Sequence, residues 1–166
     1  LSTLRPAFTE NGSVTAGNAS QISDGAAGLL LMSKEKAHQL GFKPKFRIIG
    51  RTVVGSDPQL MLTGPIQATQ KVLHKCGLTI DQIDLFEINE AFATVPLAWQ
   101  KELNVPFEKL NIFGGAIALG HPLGASGARV MVTLCNALEK TGGRDGLQAI
   151  CEGHGMANAT IIERIN

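Results

Sequence analysis

The chain has 166 residues, 44% of them hydrophobic and 17% charged, a composition suited to a globular fold with a buried core rather than to a disordered segment. A net charge of +1, no basic run and 5% aromatic residues without Tyr argue against nucleic acid as a partner. No apolar run reaches the ~18 residues of a membrane span, and Cys76, Cys135 and Cys151 follow no framework spacing, so they read as free thiols in a reducing compartment.

Taken in order, residues 1–23 are polar and turn-rich, with a tight turn expected at Asn11-Gly12. Ala26 to Met32 is a continuous apolar run, the pattern of a strand buried on both faces. Ser33 can cap a helix over Lys34–Leu40 that Gly41 ends. Phe46 to Val54 reads as a strand, broken by Gly55-Ser56-Asp57-Pro58. A helix follows from Pro65 to Cys76, with Pro at its start and Gly77 past its end. Ile83 to Ile88 reads as the next strand, and a helix runs from Ala91 to Leu103. Pro96 lies within that span, so the helix either starts late or bends there.

A short strand near Leu110–Ile112 enters a stretch dense in Gly, Gly114 to Gly127, that carries His121 and has almost no charge. Glycine in such density points to positive φ or to close approach of backbone. A helix is expected over Gly124–Lys140, with Ala128, Val132, Cys135 and Leu138 near one face and Pro122 in the first turn. His121 then sits beside a helix N-terminus, where free N–H groups favour negative charge. The plainer alternative is a structural histidine in a turn. Two strands close the chain, Leu147–Cys151 and Ala157–Ile165, around Glu152-Gly153-His154-Gly155. The alternation of strands and helices predicts an α/β fold with a largely parallel sheet.

In such sheets, chemistry gathers at the carboxyl edge of the strands. Three polar groups fall at such punctuation: Asn89 after the third strand, His121 in the glycine-rich loop, and Cys151 at the end of the penultimate strand. Cys151 is a thiol followed by glycine N–H groups that can form an oxyanion hole, or else a buried apolar cysteine beside a turn. Asn89 is open to reading as a helix cap. His38 and His74 fall on surface positions of amphipathic helices. No His and Cys spacing matches a zinc site, and neither a Walker loop nor a dinucleotide fingerprint is present.

Three segments together resemble the thiolase family, specifically its C-terminal half: Asn89-Glu90-Ala91-Phe92-Ala93, Gly114-Gly115-Ala116-Ile117-Ala118-Leu119-Gly120-His121-Pro122, and Cys151-Glu152-Gly153. The intervals also resemble the family's, 32 residues from Asn89 to His121 and 30 from His121 to Cys151. Thr15 to Ser20, Asp24-Gly25-Ala26-Ala27 and Asp57-Pro58 through Gly64-Pro65 are similar to family segments as well, the first two leading out of its CoA-binding loop region.

The resemblance implies a βαβαβαββ domain with a mixed, largely parallel five-stranded sheet over residues 43–166, preceded by the tail of a first similar domain over residues 1–42. It implies acyl-CoA C-acyltransfer, the Claisen condensation or thiolytic cleavage of a 3-ketoacyl-CoA, with acyl-CoA and CoA as substrates and no permanently bound cofactor. By the same resemblance His121 assists the acylated thiol and helps bind the thioester oxygen. Asn89 holds a water of the first oxyanion hole, Cys151 is the acid/base, the Gly153 N–H serves a second oxyanion hole, and Ser20 lies near the pantetheine of CoA. Thiolases also need a nucleophilic cysteine from an N-terminal half that is absent here, and neither Cys76 nor Cys135 has a context to replace it. The expected partner is that missing half or a subunit carrying it, in an oligomer. Taken alone, the chain should expose Ala26–Met32. The alternative is a non-catalytic remnant that acts by pairing. A decarboxylating ketoacyl synthase of the same superfamily fits less well, given Cys151. The expected compartment is the cytoplasm, or a mitochondrion or peroxisome in a eukaryote. One departure stands out: the family's Gly-Gly-Gly after the cysteine and its neighbour is Gly153-His154-Gly155 here.

Overall fold

A computed structural model describes residues 1–165. Its elements are α1 (Lys34–Gln39), β1 (Phe46–Gly55), α2 (Gly64–Cys76), β2 (Leu85–Ile88), α3 (Thr94–Leu103), α4 (Ala116–Leu119), α5 (Ser126–Thr141), β3 (Asp145–Glu152) and β4 (Met156–Arg164). The strands form one sheet in the order β1-β4-β3-β2. β2 pairs parallel with β3, while β3 with β4 and β4 with β1 are antiparallel.

Side chains alternate across each strand, so the sheet presents two faces. Phe86 and Ile88 of β2, Leu147 and Ala149 of β3, and Ala157, Ala159 and Ile161 of β4 pack with Ala68, Val72 and Leu73 of α2 and Trp99 of α3. Trp99 is fully buried, lies 5.1 Å from the Phe86 ring, and donates its indole N–H to Thr69 Oγ1 at 2.9 Å, which locks α3 to α2. On the other face Leu85 and Ile162 pack under Leu134, Ala137 and Leu138 of α5.

Local chemistry accounts for the element ends. Ser33 Oγ accepts from Lys36 N at 3.1 Å and caps α1 as expected. Gly77, at φ 65°, closes α2 in the left-handed region. α3 starts late, at Thr94, so Pro96 falls in its first turn and needs no bend.

Four expectations are corrected. The sheet has four strands rather than five, and only one of its pairings is parallel. Antiparallel pairing dominates because β3 turns straight back into β4 through a three-residue turn, and β1 joins on β4. The fifth position, Leu110–Ile112, is reduced to a single parallel bridge between Leu110 and Phe86. There Asn111 turns away at φ 47°, and its side-chain amide takes over the backbone pairing: Oδ1 accepts from Ile88 N at 2.8 Å and Nδ2 donates to Ile88 O at 2.9 Å. Counting that bridge as a strand recovers the order βαβαβαββ.

The second correction is Ala26–Met32, which is extended but belongs to no strand, with Leu30 73% and Leu31 68% exposed. No described residue pairs with its backbone. It lines an apolar cavity of about 470 Å³ with Phe42, Phe46, Ile48, Met131 and Ile162. The third is the face of α5. Its buried stripe is Ser126, Val130, Leu134, Ala137 and Leu138, and of the expected set only Leu138 is fully buried. Two apolar stripes run along this helix, and periodicity does not say which meets the sheet. The fourth is that α5 begins at Ser126, so Pro122 precedes it in a turn, and the short α4 occupies the glycine stretch instead of a loop.

Glu90 ties this stretch to the sheet. It follows β2 by two residues, and its carboxylate accepts from Asn111 Nδ2 at 2.9 Å and from Ile117 N, in the first turn of α4, at 3.0 Å. A Cβ on Gly115 would collide with that carboxylate, so the backbone there has room only for glycine. Glu90→Ala is expected to lower the stability by roughly 1–3 kcal/mol, because two partly buried donors lose their acceptor. Urea unfolding and amide exchange at Ile117 check this. An unchanged midpoint with unchanged exchange would show that the clamp is idle.

Candidate active site

Asn89 and Cys151 are brought together by the parallel pairing of β2 and β3. The ladder matches Ile88 with Ala149, and the Asn89 N–H donates to Ala149 O at 3.0 Å. Asn89 is therefore carried one step past β2 while still held in the sheet, and Cys151 lies two residues beyond Ala149 on β3. Asn89 is 2% exposed, and its side-chain amide acts on the Cys151 thiol in the direction that favours thiolate. Burial opposes this more strongly, and the nearby Glu152 carboxylate adds to burial, so the thiol titrates above its ordinary value. The Oδ1 of Asn89 is sealed from solvent with no donor.

His121 follows Gly120 in the turn between α4 and α5. Its Nδ1 lies 2.7 Å from Ser126 Oγ, the first residue of α5, and that hydroxyl donates to Pro122 O at 3.1 Å. A serine has one proton to give. With it committed to Pro122, the hydroxyl accepts from Nδ1–H, which leaves Nε2 as the open acceptor of a neutral ring. Burial, and then the positive charge of Arg129, hold His121 below its ordinary pKa. The imidazole is thus neutral at pH 7.

One short span laces the two loops side by side. Ser20 donates both its N–H and its hydroxyl to Ala91 O, each at 3.1 Å, and Ala93 N donates to Asn18 O at 2.9 Å. One residue on, Gln21 O accepts from His121 N at 2.7 Å, and Ile22 bridges His121 in parallel. The span 18–22 thus works as a surrogate strand between the Asn89 and His121 loops. A shallow cavity of about 400 Å³ continues from it, between Ser23–Ala27 and Pro122–Ala125.

Gly153 opens the turn between β3 and β4; it is exposed, and a Cβ there would meet nothing. His154 sits at φ 63° and ψ 27°, a left-handed conformation that costs a non-glycine residue of order 1–2 kcal/mol. The strain is held by Gly155, whose carbonyl accepts from Ser56 N and Ser56 Oγ, at 2.6 and 2.8 Å. A Cβ on Gly155 would stand 2.8 Å from Ser56 O, so this close approach also requires glycine.

The other two cysteines lie elsewhere. Cys76 ends α2, and its sulfur fills the space beside Gly50 of β1. Cys135 packs along α5, with burial pushing its thiol up to about 11.

Sequence reasoning missed Ser126, Asn111 and the pair Glu87 and Arg129. Ser126 was hidden among small residues that suggest only a close helix contact. Glu87 does carry a signal: a carboxylate in the middle of an apolar strand. It is 2% exposed, and burial pushes it up to about 8 against the lowering effect of Arg129 and with a raising contribution from Glu90.

Comparison with known proteins places the chain in a family. The family model "Thiolase, C-terminal domain" matches residues 42–164, and "Thiolase, N-terminal domain" matches residues 1–35. An acetyl-CoA acetyltransferase of Chromobacterium violaceum is 52% identical over 164 residues, covering 99% of this chain and 42% of the relative. A steroid 3-ketoacyl-CoA thiolase of Mycobacterium tuberculosis is 54% identical over 162 residues, covering 98% and 40%. The crystal structure of the Bacillus anthracis acetyl-CoA acetyltransferase superposes with a TM-score of 0.96 at 46% identity, covering 99% of this chain and 42% of that one. Human mitochondrial 3-ketoacyl-CoA thiolase in complex with CoA gives 0.93 at 40% identity, with the same coverage. The chain spans about 42% of the length of these relatives. With a family model matching most of its length and relatives above 50% identity across nearly all of it, the chain belongs to the thiolase family.

Proposed function

We propose that this chain is the C-terminal part of an acyl-CoA C-acyltransferase that makes or cleaves a 3-ketoacyl-CoA, with residues 1–42 completing a first domain and 43–166 forming the second. The observation that carries the reading is the lacing of the Asn89 and His121 loops by residues 18–22, with Cys151 on the strand that pairs with the segment leading into Asn89. A buried thiol, a neutral imidazole with an open Nε2 and an uncommitted amide oxygen make a set suited to moving a weakly acidic proton and stabilising the oxyanion that results.

When the second cysteine is acylated, its proton passes to His121 Nε2 and the departing CoA sulfur takes the proton of Cys151, which leaves Cys151 as thiolate. In condensation that thiolate removes the α-proton of an acyl-CoA. The electron pair of the C–H bond passes into an enolate, whose oxygen accepts from His121 Nε2–H and from a water held by Asn89. The enolate carbon then attacks the acyl group carried as a thioester on the second cysteine. The carbon–carbon bond forms, the carbon–sulfur bond breaks, and the sulfur leaves as thiolate and takes back the proton from His121 Nε2. Cleavage runs the same steps backwards. Gly153, open at the turn after Cys151, supplies the N–H for the second oxyanion. Ser20 lies on the lacing span, on the path of the pantetheine, although its hydroxyl is already given to Ala91. The second cysteine is supplied by an N-terminal half or a subunit that carries it, since Cys76 and Cys135 lie outside the site.

The native mass of the protein isolated from its source tests the reading. A particle containing about 230 further residues per 17.6 kDa chain, in one polypeptide or two, restores the nucleophile. In that particle Cys151→Ala is expected to lower kcat on the order of 10²–10⁴-fold, the span of a general acid/base. A homo-oligomer of the bare chain, inactive with acyl-CoA, would leave the pairing alternative standing. Ser126→Ala separates orientation from fold: it frees Nδ1 and is expected to lower kcat about tenfold or more with little change in KM. The acid limb of kcat/KM in the parent should lie below the ordinary histidine value of 6.5, because burial and Arg129 both disfavour the imidazolium. A limb at or above 6.5 would contradict the neutral ring.

A further inference from the structure

Between α5 and the sheet lies a buried polar layer that the proposed steps leave unused. Leu85, Glu87 and Asn89 share one face of β2, and Leu85 shows that this face looks toward α5. Beside Glu87 in the ladder stands Gln148, 4% exposed, whose Nε2 donates to Gly127 O at 3.0 Å and pins the first turn of α5 to the sheet. From that turn Arg129 projects. All three of its guanidinium nitrogens are sealed from solvent without a hydrogen-bond acceptor, as is Glu87 Oε1.

Two physical costs make this placement informative. An arginine on a helix ordinarily carries its head to water along a flexible stem, and here it does not. A cation in the first turn of a helix also stands at the positive end of the dipole, the wrong end for it. Arg129 is the fourth residue of α5, and its N–H donates to Ala125 O at 2.9 Å, so it belongs to that turn. A sealed cation at the unfavourable end of a helix adds little to stability. It supplies a fixed positive potential beside whatever shares the space.

We propose that Arg129 is a positioning residue for His121, acting from one helical turn beyond Ser126, and that Glu87 is the buried group on β2 that faces its charge. The inference rests on the reading of His121 as a site residue. Ser126 fixes which ring nitrogen is protonated, and Arg129 opposes a second proton on that ring. The same positive potential favours negative charge that develops beside the ring. Glu90 is the other carboxylate whose charge reaches Glu87, and Arg129 is the cation that acts on both Glu87 and His121. This couples β2, which bears Asn89, to α5, which bears Ser126, through charge rather than through a hydrogen bond.

The test follows the ring rather than turnover, so it stands or falls apart from the acyl-transfer reading. The native assembly is labelled at the histidine ring carbons, and His121 is identified by its loss in His121→Gln. Its titration is then compared between the parent, Arg129→Met and Arg129→Lys. The Met variant is expected to raise the His121 pKa by about half a unit or more, and the Lys variant to stay near the parent. An unmoved His121 in a folded Met variant would overturn the proposal. Should the Met variant fail to fold, Arg129→Gln, which keeps a polar side chain without the charge, takes its place: a raised His121 titration supports the proposal, and an unmoved one overturns it.

Discussion

The site depends on holding two irregular loops at the edge of a small sheet, and the carboxylate of Glu90 is the joint that does so. A strand end has free backbone groups that water would otherwise satisfy. Here Asn111 satisfies those of Ile88, Glu90 satisfies Asn111, and the second oxygen of Glu90 caps the first turn of α4. The chain of hydrogen bonds runs from β2 to the turn that ends at His121. Every member has a partner, which is the condition under which a partly buried polar network adds rigidity instead of cost. The lacing of Ser20 and Gln21 to Ala91 and His121 closes the loop from the other side. His121 is thereby fixed at its backbone N–H and at its ring, two points that define the aim of Nε2.

The electrostatics share one direction. The N-terminus of α5 and the guanidinium of Arg129 both make the space around the imidazole favourable to negative charge, and the same charge opposes a second proton on His121. Cys151 stands at the border. Its thiol is raised by burial and lowered by Asn89, so it remains protonated at rest and has a donor ready when it ionises. In the role proposed for Cys151, a base that must also return its proton benefits from being poised in this way rather than permanently charged.

Much of the fold was legible because it rests on strong local signals. Ser33 and Gly77 mark helix ends, Pro65 marks a start, and the alternation in Phe46–Gly55 marks a strand. What was not legible is what depends on distant partners. Leu110–Ile112 has strand composition, yet Asn111 supplies the pairing from its side chain and the strand never forms. α5 is apolar on two stripes, and only the tertiary contact selects Ser126-Val130-Leu134. The motif residues were visible, Asn89 and Cys151 by their place at strand ends and His121 by its glycine-rich loop, but the groups that orient them were not. Ser126 is a small residue in a run of small residues, and Arg129 has the composition of a surface residue. Only burial without a partner shows that it is not one.

Ala26–Met32 bears on the same question from outside the site. Its apolar side chains were chosen for burial on both faces, and in this chain they are exposed. Leu29, Leu30 and Leu31 border the apolar cavity that also takes in Met131 and Cys135 of α5, so an element packed there would press on the helix that carries Ser126 and Arg129. Burial of that surface at about 25 cal/mol per Å² is a large driving force for association. The span that precedes it, residues 18–22, is the one that laces the two loops. A partner that ordered residues 26–32 would therefore also stiffen the lacing of His121 to Asn89. An element packed on the apolar run would act, through the extended chain that leads back to residues 18–22, on the lacing of His121 to Asn89.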